Sequence, residues 1–131
     1  MKIDVIKECT SLSLAEKITF PEVVMRLSEA GVERYIADLV GKKKLSYGKQ
    51  GEVHTGDLTF ENVAIPEQFD AAAVKQAITH IQQGRIQYQA FLRRIMEAGC
   101  THYEVFITGR RAIYFGRNGL QHIEEFPNAR P

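Results

Sequence analysis

The chain has 131 residues, 44% of them hydrophobic and 25% charged, as expected of a globular domain long enough to bury one core. Seventeen Lys and Arg against sixteen Asp and Glu leave a formal charge of +1, so no bulk field draws the whole chain toward nucleic acid or membrane. No apolar run approaches the ~18–20 residues of a bilayer span, Met1-Lys2-Ile3-Asp4-Val5 carries no apolar signal core, and Cys9 and Cys100 are too few for a disulfide framework. These features predict a reduced, cytoplasmic single domain with no membrane partner.

Taken in chain order, residues 3–12 form a first helix of irregular pattern. Thr19-Phe20-Pro21-Glu22 is a capping box with proline in the first turn, where its missing amide is harmless. Val23, Val24, Leu27 and Ala30 then recur at helical spacing until Gly31 ends the helix. Tyr35, Ala37 and Leu39 alternate as in a strand, Gly41-Lys42 makes a hairpin turn, and Leu45-Ser46-Tyr47 is the return strand. A turn at Gln50-Gly51 leads to a third strand with His54, and Asp57-Leu58-Thr59-Phe60-Glu61 reads as an extra strand. Asp70 caps a helix over residues 70–83 that presents Val74, Ala77, Ile78 and Ile81 on one face and stops at Gly84. A further helix ends at Gly99. Tyr103, Val105 and Ile107 begin a second meander, with turns at Gly109-Arg110 and Asn118-Gly119 and a last strand carrying His122.

An offset of 68 aligns the two halves without a gap: Arg26 falls on Arg94, Glu29-Ala30-Gly31 on Glu97-Ala98-Gly99, Tyr35 on Tyr103, Gly48 on Gly116 and His54 on His122. The expected architecture is therefore α+β, a tandem duplication of a helix-helix-antiparallel meander unit with the helices packed on the sheet. Its pseudo-repeats span about 1–65 and 66–131.

Two blocks carry a resemblance: Phe20-Pro21-Glu22-Val23-Val24 with Glu29-Ala30-Gly31-Val32-Glu33-Arg34-Tyr35, and Phe91-Leu92-Arg93-Arg94 with Glu97-Ala98-Gly99-Cys100 and Tyr114-Phe115-Gly116. In these the chain resembles the YbcV-like family, small bacterial proteins of unknown function, some carried on prophages and some labelled phage envelope protein. The resemblance spans nearly the whole chain. It implies fold and a bacterial cytoplasmic setting, and it brings no catalytic residues with it.

Charge placement is the functional signal. Residues 39–51 hold Lys42, Lys43, Lys44 and Lys49, residues 105–123 hold Arg110, Arg111 and Arg117, and neither segment has an acid. Beside Tyr47, Tyr114 and Phe115, these cations are a candidate platform for phosphates and stacked bases, which makes nucleic acid or another anion one candidate partner and a second copy of the chain another. The plainer reading is that cations at hairpin tips protect strand edges. His54 and His122, related by the offset, read most simply as surface or sheet-edge histidines; the alternative is that the copies pack about a pseudo-twofold axis and the two rings face each other across it. With Tyr35 and Tyr103 they are candidates for a cleft between the repeats. His54, His80, His102 and His122 lack metal-ligand spacing, and no phosphate loop or nucleophile elbow occurs, so no metal, cofactor or catalytic residue is expected. Cys100 matches Val32 and reads as a small buried side chain. Arg26/Glu29 and Arg94/Glu97 read as ion pairs along their helices. The leading function is a non-enzymatic binding or interaction module. A small-molecule enzyme or sensor using the cleft, and an assembly protein dimerising through a sheet edge, are the alternatives.

Overall fold

The computed structural model describes residues 1–127. Helices α1 (Ile3–Leu14) and α2 (Phe20–Glu29) precede strands β1 (Val32–Asp38), β2 (Lys43–Gly48) and β3 (Val53–Asp57). Helices α3 (Ala71–Gln82) and α4 (Tyr88–Glu97) precede β4 (Cys100–Phe106), β5 (Arg111–Gly116) and β6 (Gln121–Glu125). The fold is α+β, as the alternation of caps, helical stripes and strand pairs predicts. Asp57 closes β3, and no strand forms between Leu58 and Asp70, so the extra strand expected at 57–61 is absent. Leu58 instead turns inward to the core while its amide donates to the Lys42 carbonyl.

All six strands join one antiparallel sheet in the order β3-β2-β1-β4-β5-β6. The seam is β1 against β4, with Ile36 opposite Glu104. A register shift falls after Val32 in β1 and after Cys100 in β4, positions related by the offset of 68. Strand alternation then sends Val32, Tyr35, Ala37, Tyr103, Val105, Ala112 and Tyr114 to the helix-covered face. Val23, Leu27, Val74, Ile78, Leu92, Ile95 and Met96 meet them from the helices.

The local chemistry follows the sequence closely. The Glu22 carboxylate accepts from the Thr19 amide (3.1 Å) and hydroxyl (2.9 Å), which holds its pKa below the usual range. The Asp70 carboxylate accepts from the Ala73 amide at 3.0 Å. Gly99 adopts φ +95°, and a Cβ there would run into the Gln68 carbonyl oxygen, so this turn from α4 to β4 admits only glycine. Arg26 and Arg94 act otherwise than expected. Arg26 reaches Glu8 on α1 (3.2 Å) and Arg94 reaches His80 Nδ1 on α3 (2.8 Å), so each arginine ties its helix to the one before it.

Candidate functional site

Three regions bear on function: the interior under the helices, the two ends of the sheet, and the sheet face that no helix covers. The interior holds Tyr35, Tyr103 and Tyr114, all buried, with Tyr88 donating to or accepting from Tyr103 at 2.9 Å and Tyr103 stacked on Tyr114 at 5.1 Å. Burial pushes these phenols above their ordinary pKa. Lys44 lies against Tyr35, 7% exposed, its Nζ 4.5 Å from the Tyr35 ring centroid and 3.3 Å from Thr10 Oγ1. Desolvation lowers its pKa to about 8. Ser46 is buried on the same strand, its hydroxyl without a hydrogen-bond partner among the described residues. Burial likewise raises the thiol pKa of Cys9, and that of Cys100 to about 12, so both are held as inert thiols.

This placement changes the standing of several sequence candidates. Tyr35 and Tyr103 are core residues of adjacent strands and line no cleft, because β1 and β4 pair directly and close the space between the halves. His54 and His122 are sheet-edge histidines and do not face each other. They lie on β3 and β6, the opposite edges of the sheet, five strand spacings or roughly 24 Å apart. His122 instead meets Glu124 at 2.9 Å, and Glu124 also binds Lys75 at 3.0 Å. Lys44 and Tyr114 point under the helices, out of reach of an external anion.

The remaining cations divide between the two ends. Because β1 and β4 are antiparallel, the hairpin tip with Lys42 and the tip with Arg110 lie at opposite ends, roughly 20–25 Å apart. Lys42 and Arg110 both occupy the left-handed region at φ +56°. Lys42 Nζ donates to the Phe60 carbonyl at 3.0 Å, and the Arg110 guanidinium lies 5.4 Å from the Phe126 ring centroid. Lys43 pairs with Asp57, and Arg111 with Glu125 at 3.5 Å, so both are partly neutralised. Arg117 is exposed in the β5–β6 turn, and it lines a cavity together with Lys42.

The uncovered sheet face is the feature that sequence inspection passed over. The pairing registers order its outward residues into three rows. One runs Val53, Tyr47, Arg34, Phe106, Arg111, Glu125; the middle one Thr55, Leu45, Ile36, Glu104, Ile113, Ile123; the last Asp57, Lys43, Asp38, His102, Phe115, Gln121. Eight of these eighteen are apolar or aromatic, and Val53 and Ile123 are 53% and 48% exposed. The charged residues are matched within the face. Arg34 bonds Glu104 at 2.7 Å and covers the Tyr47 ring at 4.0 Å, and Asp38 accepts from the Val40 and Gly41 amides at 3.0 Å each. His102 stacks on Phe115 at 4.6 Å. A signal did exist in the sequence: Tyr35-Ile36-Ala37, Val105-Phe106-Ile107 and Ala112-Ile113-Tyr114-Phe115 are unbroken apolar runs, the pattern of strands covered on both faces.

Among the described residues no three His, Cys, Asp or Glu side chains converge as metal ligands, and no helix is long and apolar enough to cross a membrane. Among curated proteins, none matches the chain. Residues 55–125, more than half of it, match the family described as protein of unknown function (DUF1398), and the chain belongs to that family.

Proposed function

We propose that this protein is a non-enzymatic interaction module that works through the uncovered face of its six-stranded sheet, and that the partner is a second copy of the chain. The observation that carries the reading is the composition of that face: eight apolar or aromatic residues among eighteen, on strands whose other side is already buried. Size supports it. Six strands at ~4.8 Å spacing and five to seven residues long give a footprint of roughly 500 Å², and side-chain relief brings this toward the ~800 Å² per partner of a standard interface. Charge supports it as well. Arg34, Lys43 and Arg111 stand against Glu104, Asp57, Glu125 and Asp38, so the face is nearly neutral and its ions already have partners. Such a surface neither attracts a polyanion nor repels its own copy. Packing two faces about 10 Å apart makes a two-sheet sandwich with helices outside.

Ile113 lies in the middle row of the face, one strand in from the β6 edge, and Glu at that position buries a carboxylate in the contact while leaving the core intact. Light scattering is expected to give a dimer for the wild type and a monomer for Ile113→Glu, with unchanged far-ultraviolet circular dichroism. A monomeric wild type at tens of micromolar would overturn the reading.

A second reading, engagement of an anion by the basic turns, draws support from the exposed Lys49, Arg110 and Arg117. Lys49 and Arg110 share one end of the sheet and Arg117 lies at the other, so only a polyanion engaging all three would have to bridge both ends. Fluorescence anisotropy with labelled DNA and RNA at low and near-physiological salt tests it, and binding that survives near-physiological salt would favour it over the sheet face. Within its family, the helix-cap and hairpin blocks that resemble YbcV-like proteins support placing the chain with that prophage-associated group. The same matched halves support descent from one duplicated helix-helix-meander unit.

A further inference from the structure

The two ends of the sheet each carry a cavity of about 290 Å³, near the lower limit for small-ligand pockets. They occupy related places in the two halves: Val40, Met96 and Arg117 line one, and their counterparts at the offset of 68, Thr108, Ser28 and Lys49, line the other. Their chemistry differs. The first has an apolar floor from Leu39 and Met96, both buried, and walls from Val63 and Ile65. Among the described residues its only charged lining residues are two cations, Lys42 and Arg117, with no carboxylate. The second is lined by Ser28, Thr108, Gln50 and the Glu52 carboxylate, with Lys49 as its one basic side chain.

We infer that the first cavity binds a small monocarboxylate with a compact apolar body, its carboxylate held between Lys42 and Arg117 and its body on Leu39, Met96, Val63 and Ile65. Lys42 is already fixed in place. Its ammonium donates to the Phe60 carbonyl at 3.0 Å and lies 4.9 Å from the Phe60 ring centroid, so two of its three hydrogens remain for a ligand. Fixing the cation in advance lowers the ordering cost of binding. Arg117 comes from the β5–β6 turn of the other half of the chain, so the anion would join elements that are distant in sequence. The volume corresponds to about ten waters of liquid, which sets the whole ligand at about ten non-hydrogen atoms. This site lies at the end of the sheet, outside the eighteen residues of the uncovered face, so it stands or falls apart from dimerisation.

The test is a two-dimensional amide NMR titration of the intact protein with 3-phenylpropanoate, with 3-phenylpropanol as the uncharged analogue and with inorganic phosphate as the anion without a body. The carboxylate is expected to shift the amides of Leu39, Val40, Val63, Ile65 and Arg117 saturably, while the alcohol binds at least tenfold more weakly and phosphate produces no saturable shift there. Arg117→Glu is expected to weaken the carboxylate at least tenfold. Lys49→Glu, at the related place in the other cavity, is expected to leave it unchanged. Equal binding of the alcohol, equal shifts around Ser28 and Thr108, or no saturable shift at all would each overturn the inference.

Discussion

Lys44 shows how far one side chain can depart from its neighbours in sequence. In the run Lys42-Lys43-Lys44 the first lies in the turn, the second points outward to Asp57, and the third points under the helices. Desolvation sets its pKa at about 8, against the 10.5 it has when exposed. At neutral pH both folded and unfolded chains are protonated there, so the folded state bears the whole cost of a buried charge. From about pH 8 upward the folded state releases that proton first, and stability rises with pH. Lowering the pKa from 10.5 to about 8 makes the cost of that buried charge on the order of 3 kcal/mol. Tyr35, Tyr103 and Tyr114 act in the opposite sense above about pH 10, where the unfolded phenols ionise first and stability falls. Denaturation midpoints are therefore expected to climb from pH 7 to about 9.5 and then drop. Lys44→Met, which fills the same space without a charge, is expected to raise stability at pH 7 by about 1–3 kcal/mol and to flatten the climb. A Lys44→Met variant less stable than the wild type at pH 7 would show that the amine is paired better than its contacts indicate. The run of lysines read as one basic patch because composition adds charges without regard to side. Strand alternation carried through from Ser46 and Gly48, both inward, would have turned Lys44 inward too.

At the scale of elements, caps and turns were the most legible part of the chain, because their chemistry is local. The Glu22 and Asp70 caps and the Gly31 and Gly99 helix ends need only neighbours a few residues away. Gly99 and Gly119 separate two costs. Both have positive φ, +95° and +81°, but Gly119 faces open space whereas a Cβ at Gly99 meets the Gln68 backbone. Gly119→Ala is expected to cost about 1 kcal/mol, the strain of the left-handed conformation alone. Gly99→Ala is expected to cost about 3 kcal/mol, strain together with overpacking, measured by urea denaturation. Equal losses would mean that the approach of Gln68 is readily relieved. The extra strand expected at 57–61 failed for a reason that lies outside its own residues. Its alternation is genuine, but past Asp57 the chain leaves the sheet: the Leu58 amide donates to the Lys42 carbonyl in the hairpin turn and the Leu58 side chain is drawn into the core.

Across the whole molecule, the two halves repeat the same order of elements, and the strand burial patterns match one for one. The α+β class and the two meanders were legible from periodicity. The joining of the meanders was not, because no local signal states that β1 pairs with β4. That one pairing decides the rest. It carries His54 and His122 to opposite edges, removes the cleft, places Tyr35 and Tyr103 in the core, separates the basic hairpin tips and leaves a continuous six-stranded face uncovered. Dimerisation through that face, and not through an edge strand, is the central claim. It is tested most directly by isotope-filtered NMR on a mixture of carbon-13-labelled and unlabelled protein, which detects only contacts between protomers. Intermolecular effects to the methyl groups of Ile36, Leu45, Ile113 and Ile123 are expected. Intermolecular contacts confined to the β3 or β6 edges, or none at millimolar protein, would contradict it.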